Sequence, residues 1–288
     1  MSTSLLTIDQ EATLLLNFAF AVVLSLGAAG IPAGPRDIVT TLKPFAAQAH
    51  IEAARPAFEI APRAALPSAQ APKTSDLGVF RSVAISAARL PAAGNWHAAR
   101  KTDYTAFFSA ECESRNFAGC DSRFATKIRG LREQVAGLSD RATLDLVNRT
   151  VNSAMAYRSD KAVWGVGDYW ANPVEMARKG AGDCEDFAIA KYWALRGLGL
   201  EDEQLQIVLL QDTRRQLFHA VLVVHTEAGR YVLDNVSNRL QADTAYAQYQ
   251  PIMSFSGEKS FIHGFTGNSR NMAAMPKDLS TVAPGLGM

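Results

Sequence analysis

The sequence predicts an α+β fold, in which a helical half is followed by an antiparallel sheet, and three observations predict it. Residues 139–154 carry Leu144, Val147, Val151 and Ala154 on one helical face, behind a Ser139-Asp140 start signal. Phe187, Ala188, Lys191, Tyr192 and Leu195 recur at helical spacing before the stop signals Gly197 and Gly199. Beyond them, Leu205–Gln211, Phe218–Val224, Arg230–Asn235 and Tyr249–Phe255 read as strands separated by turn residues.

The elements follow in order. Residues 12–30 form an almost wholly apolar run ending in Gly27-Ala28-Ala29-Gly30, so 1–30 is read as a signal peptide or an uncleaved membrane anchor. Residues 31–76 are rich in Ala and Pro without apolar periodicity and are read as an extended linker. The catalytic body is expected over 77–264, and small polar residues over 265–288 suggest a loose, flexible tail. Val79–Ile85 reads as a short strand, and Tyr104–Phe108 and Leu131 as helical. Cys112 and Cys120 lie in the polar segment between, either as a small disulfide loop of an exported protein or as a reduced buried pair. The aromatic loop 164–173 leads straight into the Cys184 helix and is a candidate cleft wall.

At 288 residues the chain holds one sizeable domain with extensions, or two small ones. A net charge of +1, with no basic stripe interleaved with aromatics, argues against a nucleic-acid partner. Three cysteines do not make a disulfide framework. His97, His225 and His263 lack companions at metal-ligand spacing and read as surface or loop residues, while Lys191 and Arg196 read as a solvated helix face.

The chemistry concentrates in Gly182-Asp183-Cys184-Glu185-Asp186. Cys184 falls at a helix N-terminus, where unpaired N–H groups favour a thiolate. If the two strands after it form a hairpin with a two- or four-residue loop, Val221 lies opposite Asp234. His219 shares the face of Val221, which places it and Asp234 roughly 5 to 8 Å apart at Cβ. A helix-borne Cys, a His on one strand and an Asp on the next is the order of a thiol acyl-transfer site.

These residues, with Asp168-Tyr169-Trp170, Pro173, Glu175, Lys191-Tyr192 and the helical Asn148 and Asn152, resemble the bacterial transglutaminase-like cysteine proteinases over about 79–262. The resemblance implies a papain/transglutaminase-like fold with Cys184 as nucleophile, His219 as base and Asp234 as orienting acid. It also implies a periplasmic or exported thiol peptidase acting on a protein substrate, with a surface or adhesin protein and an inner-membrane regulatory receptor as candidate partners. A transglutaminase- or deamidase-type transferase and a non-catalytic binding module are the alternatives on the same fold. The oxyanion would be held by the Cys184 N–H and a second donor, for which the Trp170 indole and the Asn172 amide are candidates. Asp183, Glu185 and Asp186 crowd three carboxylates around the thiol. Either they favour the helix dipole and pair with Lys191 or Arg178, or they hold Ca²⁺, as relatives resembling this chain do.

Overall fold

The computed structural model describes residues 77–265 and 276–285. The expected leader and linker, 1–30 and 31–76, lie outside the described residues. Among the described residues no helix is long and apolar enough to cross a membrane.

In chain order the elements are β1 (Val83–Ser86), α1 (Ala93–Ala99), α2 (Arg123–Arg129), α3 (Leu131–Gln134), α4 (Asp140–Ala154), β2 (Ala156–Tyr157), α5 (Asp160–Val163), α6 (Pro173–Lys179), β3 (Ala181–Gly182) and α7 (Cys184–Gly197), followed by β4 (Leu205–Asp212), β5 (Leu217–Thr226), β6 (Gly229–Leu233), β7 (Gln241–Ala242), β8 (Tyr249–Ser256) and β9 (Lys259–Gly264). The seven-stranded sheet runs β1-β9-β8-β4-β5-β6-β7, and β2 and β3 form a small parallel pair. All ladders of the large sheet are antiparallel, as an α+β chain requires.

Helix α4 starts where Ser139 accepts from the Ala142 N–H, and buries Leu144, Val147 and Val151. Helix α6 starts with a capping box between Asn172 and Glu175 and ends on Gly180, whose φ of 62° is the left-handed conformation that favours glycine. Helix α7 is buried on every face from Cys184 to Leu195, lying between the other helices and the sheet. Period-two alternation divides the strands between two layers. Ile207, Leu209, Leu222 and Val224 pack with the helices, while Val208, Leu210, Val221, Val223 and Val232 pack with Val79, Phe80, Tyr246 and Tyr249.

Several elements differ from expectation. Residues 79–82 form a turn before β1, because the Ser82 N–H and hydroxyl both bond the Val79 carbonyl and Asp243 accepts from the Phe80 N–H. Helices α1, α2, α5 and α6 are additions, too short for a periodicity argument, and α6 stands between the aromatic loop and α7, so that loop does not lead straight into the Cys184 helix. Cys112 and Cys120, by contrast, take one of their two expected states and are joined as a disulfide.

His225 and His263 are buried within the sheet, in a hydrogen-bond chain whose direction can be read off. Ser82 Oγ spends its proton on Val79, so it accepts from His263 Nδ1 at 2.7 Å. His263 Nε2 then accepts from Ser254 Oγ, which accepts from Gln206 Nε2, both at 2.8 Å. Gln206 Oε1 accepts from His225 Nε2. Burial lowers the pKa of His263 to about 4, consistent with a neutral ring.

Residues 276–285, expected in a loose tail, instead return to the body of the protein. Val282 joins the main core and Leu279 packs against it, because apolar residues at the end of an otherwise small and polar segment find an apolar surface to cover.

Candidate active site

The β5–β6 hairpin has a two-residue loop, with Thr226 opposite Gly229 and Leu222 opposite Leu233. Continuing that register puts Val221 opposite Asp234, so His219 and Asp234 meet diagonally on one face. His219 Nε2 lies 3.0 Å from Asp234 Oδ1, and both side chains are about 1% exposed. Cys184 is the first residue of α7 and also buried. The structure thus brings the three sequence-predicted residues together.

The electrostatics follow from burial and partners. Burial disfavours a charged His219, but hydrogen bonds to Asp234 and to Cys184 outweigh it and raise its pKa to about 9. Burial would push Asp234 up, yet the His219 contact and donors from Tyr249 and Val236 bring it down to about 2. Because Nε2 is taken by Asp234, Nδ1 is the ring nitrogen left for the thiol. The Cys184 thiol also donates to Glu185 Oε2 at 3.4 Å.

Further residues support the carboxylate. Tyr249 Oη donates to Asp234 Oδ2 at 2.6 Å and the Val236 N–H to Oδ1 at 3.0 Å. Asn152 Nδ2 donates to the Asp234 carbonyl, and Asn148 Nδ2 to that of Ser237, fixing the loop after β6 to α4. The two Asn residues were visible in the sequence, whereas Tyr249 was not, since nothing in a strand-initial Tyr signals its partner.

Both candidates for the second oxyanion donor have other partners. The Trp170 indole N–H donates to Asp168 Oδ1 at 3.1 Å. Asn172 Oδ1 caps α6, accepting from the Val174 and Glu175 N–H groups. Lys191 is not on a solvated face. It is fully buried, its Nζ has no hydrogen-bond partner among the described residues, and burial lowers its pKa to about 7 against the pull of Asp234. Arg196 pairs with Glu201 and Asp202 rather than with the motif's carboxylates.

The acidic cluster is real but its membership differs. Carboxylate oxygens of Asp160, Asp183 and Glu185 converge within 4.8 Å of one another, all three buried. Asp186 is outside that group, and its Oδ1 accepts from the Ala171 N–H at 2.8 Å. A Cβ on Gly182 would come 2.3 Å from Asp186 Oδ2, so the motif needs glycine there for close approach. Asp160 lies 23 residues from Asp183 and is brought in by the β2–β3 pairing, which no local spacing announces. Burial raises the pKa of all four carboxylates, with Asp160 reaching about 7, and nearby negative charge adds to it: Asp183 on Asp160 and Asp186, Asp168 on Asp183, and Cys184 and Asp183 on Glu185. Asp160 Oδ1, Asp183 Oδ1 and Glu185 Oε1 are buried without a hydrogen-bond partner among the described residues, which fits a hard, oxygen-seeking cation.

The profile of the family described as bacterial transglutaminase-like cysteine proteinase matches residues 102–260. No curated protein matches. Among solved structures, Legionella pneumophila LapG is 29% identical, with a TM-score of 0.43, over 48% of this chain and 77% of that one. Calcium-bound LapG from the same organism is 26% identical, with a TM-score of 0.44, over 56% and 84%. A putative cysteine protease from Cytophaga hutchinsonii is 10% identical, with a TM-score of 0.34, over 55% and 56%.

Proposed function

The chain belongs to the bacterial transglutaminase-like cysteine proteinases and is a cysteine peptidase; from that premise we propose that it cuts a cell-surface protein, an adhesin being the model substrate, outside the cytoplasm. The observation that carries the chemistry is the buried His219–Asp234 pair beside a cysteine at the start of α7. Cys184 Sγ attacks the scissile carbonyl, and the Cys184 N–H, at the start of α7, donates to the developing oxyanion. His219 Nδ1 delivers a proton to the leaving amine and later takes one from the water that releases the acyl group. Asp234, anchored by Tyr249 and Val236, stays ionised and holds the imidazole in this orientation.

The extracytoplasmic location draws support from the Cys112–Cys120 disulfide, which an oxidising compartment favours, and from the apolar run 12–30. An inner-membrane receptor that gates access is part of the same reading. Asp160, Asp183 and Glu185 are the residues that would hold Ca²⁺. Bound there, the ion would supply positive charge beside the thiolate and relieve the repulsion among buried carboxylates.

The test compares the exported proteins of cells carrying the wild-type chain or Cys184→Ala. A surface protein should accumulate uncut in the variant, and His219→Ala should behave alike. Identical exported fractions would refute the proposal, and incorporation of an added primary amine into products would favour transfer over hydrolysis.

A further inference from the structure

Strand β5 extends beyond its partner. Its pairing with β6 begins at Leu222, whereas its pairing with β4 covers Leu217 to Val224. With Asp234 opposite Val221, the β5 edge at Phe218–Ala220, which carries His219, lies beyond the last residues of that pairing. Gly285 occupies part of it, its N–H donating to the Phe218 carbonyl at 2.9 Å. The opposite wall is also touched, since a Cβ on Gly285 would lie 3.4 Å from both Asp183 Oδ2 and Tyr157 Oη. Gly285 thus sits between the residue that precedes the nucleophile and the residue that precedes the base.

The segment leading there is anchored. Asp278 caps the turn Leu279–Thr281, Val282 is buried in the main core, and Pro284 is buried as well. Meanwhile Cys184, His219 and Asp234 are at most 2% exposed, so a polypeptide cannot reach the thiol while everything stays in place.

Resting on the peptidase reading, we propose that the open β5 edge beside Tyr157 and Asp183 is the substrate cleft, and that the chain's own segment 278–285 is seated in it as a competitor. A substrate enters as an added strand, offering a backbone N–H to the Phe218 carbonyl, and must displace this segment first. Seating lowers the competent fraction, so apparent reactivity falls in proportion to it.

Cys184 is the single thiol outside the disulfide, which makes iodoacetamide a clean probe read by mass spectrometry. Three proteins are compared: the intact chain, a chain lacking 276–288, and Gly285→Leu, which has a φ of 78° and a crowded wall against it. If the segment is seated about nine-tenths of the time, both variants are alkylated roughly tenfold faster. A synthetic 276–288 peptide then slows the truncated chain again. Rates within twofold of the intact chain in a variant that circular dichroism shows to be folded would overturn the proposal. Should truncation unfold the protein, Gly285→Leu decides. Faster alkylation with unchanged exported proteins keeps the seated segment and sinks the peptidase reading, and the converse pattern does the reverse.

Discussion

Replacing Asp234 with Asn removes one charge from a buried pair and almost no volume. The wild-type carboxylate accepts from His219, Tyr249 and Val236, and its pKa falls from 3.8 to about 2. The same contact raises His219 from 6.5 to about 9. These shifts describe one interaction but differ in size, because burial opposes the two charges unequally and Cys184 adds to the His219 shift. The carboxylate shift corresponds to roughly 2 to 3 kcal/mol, shared among the contacts with His219, Tyr249 and Val236. The depressed group stabilises above its unfolded pKa and loses that contribution as pH falls through about 2. The raised group stabilises below 6.5 and loses its contribution as pH rises through about 9. The pair is therefore fully effective between about pH 4 and 6.5. At roughly 2 to 4 °C per kcal/mol for a domain of this size, Asp234→Asn should lower the melting temperature by about 5 to 10 °C on that plateau. The assay is thermal unfolding of both proteins from pH 3 to 10, taken as a difference so that other groups cancel. The difference should narrow toward pH 10 as His219 loses its charge, leaving the contacts with Tyr249 and Val236. A variant within 1 °C (about 0.3 kcal/mol) of wild type at pH 6, or a gap that persists undiminished at pH 10, would refute the pairing argument.

Tyr249→Phe keeps the ring contacts with Tyr246 and Phe80 but removes the donor on Asp234 Oδ2, so it should cost about 1 to 3 kcal/mol and lower kcat with KM little changed; an unaltered kcat would show that Tyr249 does not position the acid. In EGTA, the raised carboxylates make the protein lose stability as pH rises from about 4 through 7, and Ca²⁺ should flatten that decline in the wild type but not in Asp160→Asn. Equal melting curves with and without Ca²⁺ would assign the cluster to proton storage alone.

The His219–Asp234 juxtaposition was legible because strand parity is strict: a two-residue loop leaves one register that buries both faces. Cys184 was legible because a Gly-Asp turn opens an apolar helix. Asp160 and Tyr249 were not, since each reaches the site through pairing between elements far apart in sequence. Lys191 was misplaced by the ordinary preference of lysine for solvent, which burial of α7 on all sides overrides. The Trp170 indole reads as an oxyanion donor because sequence does not show that Asp168 already accepts from it, whereas the capping role of Asn172 engages its Oδ1 as acceptor and leaves its side-chain amide N–H a candidate as before. The return of 276–285 depends on Val282 and Pro284, too few apolar residues to register as a pattern.

The burial of α7 on every side has a consequence for anyone wishing to redirect this peptidase. The helix that carries Cys184 is also the central strut of the core, so substitutions along it change stability and the surroundings of the thiol together. Directed evolution aimed at Phe187 through Leu195 should mostly yield unfolded chains, each lost methylene costing about 1 kcal/mol. Productive variation lies at the periphery, where Tyr157, Val166, Tyr169 and Val236 expose apolar surface and can change without disturbing the strut.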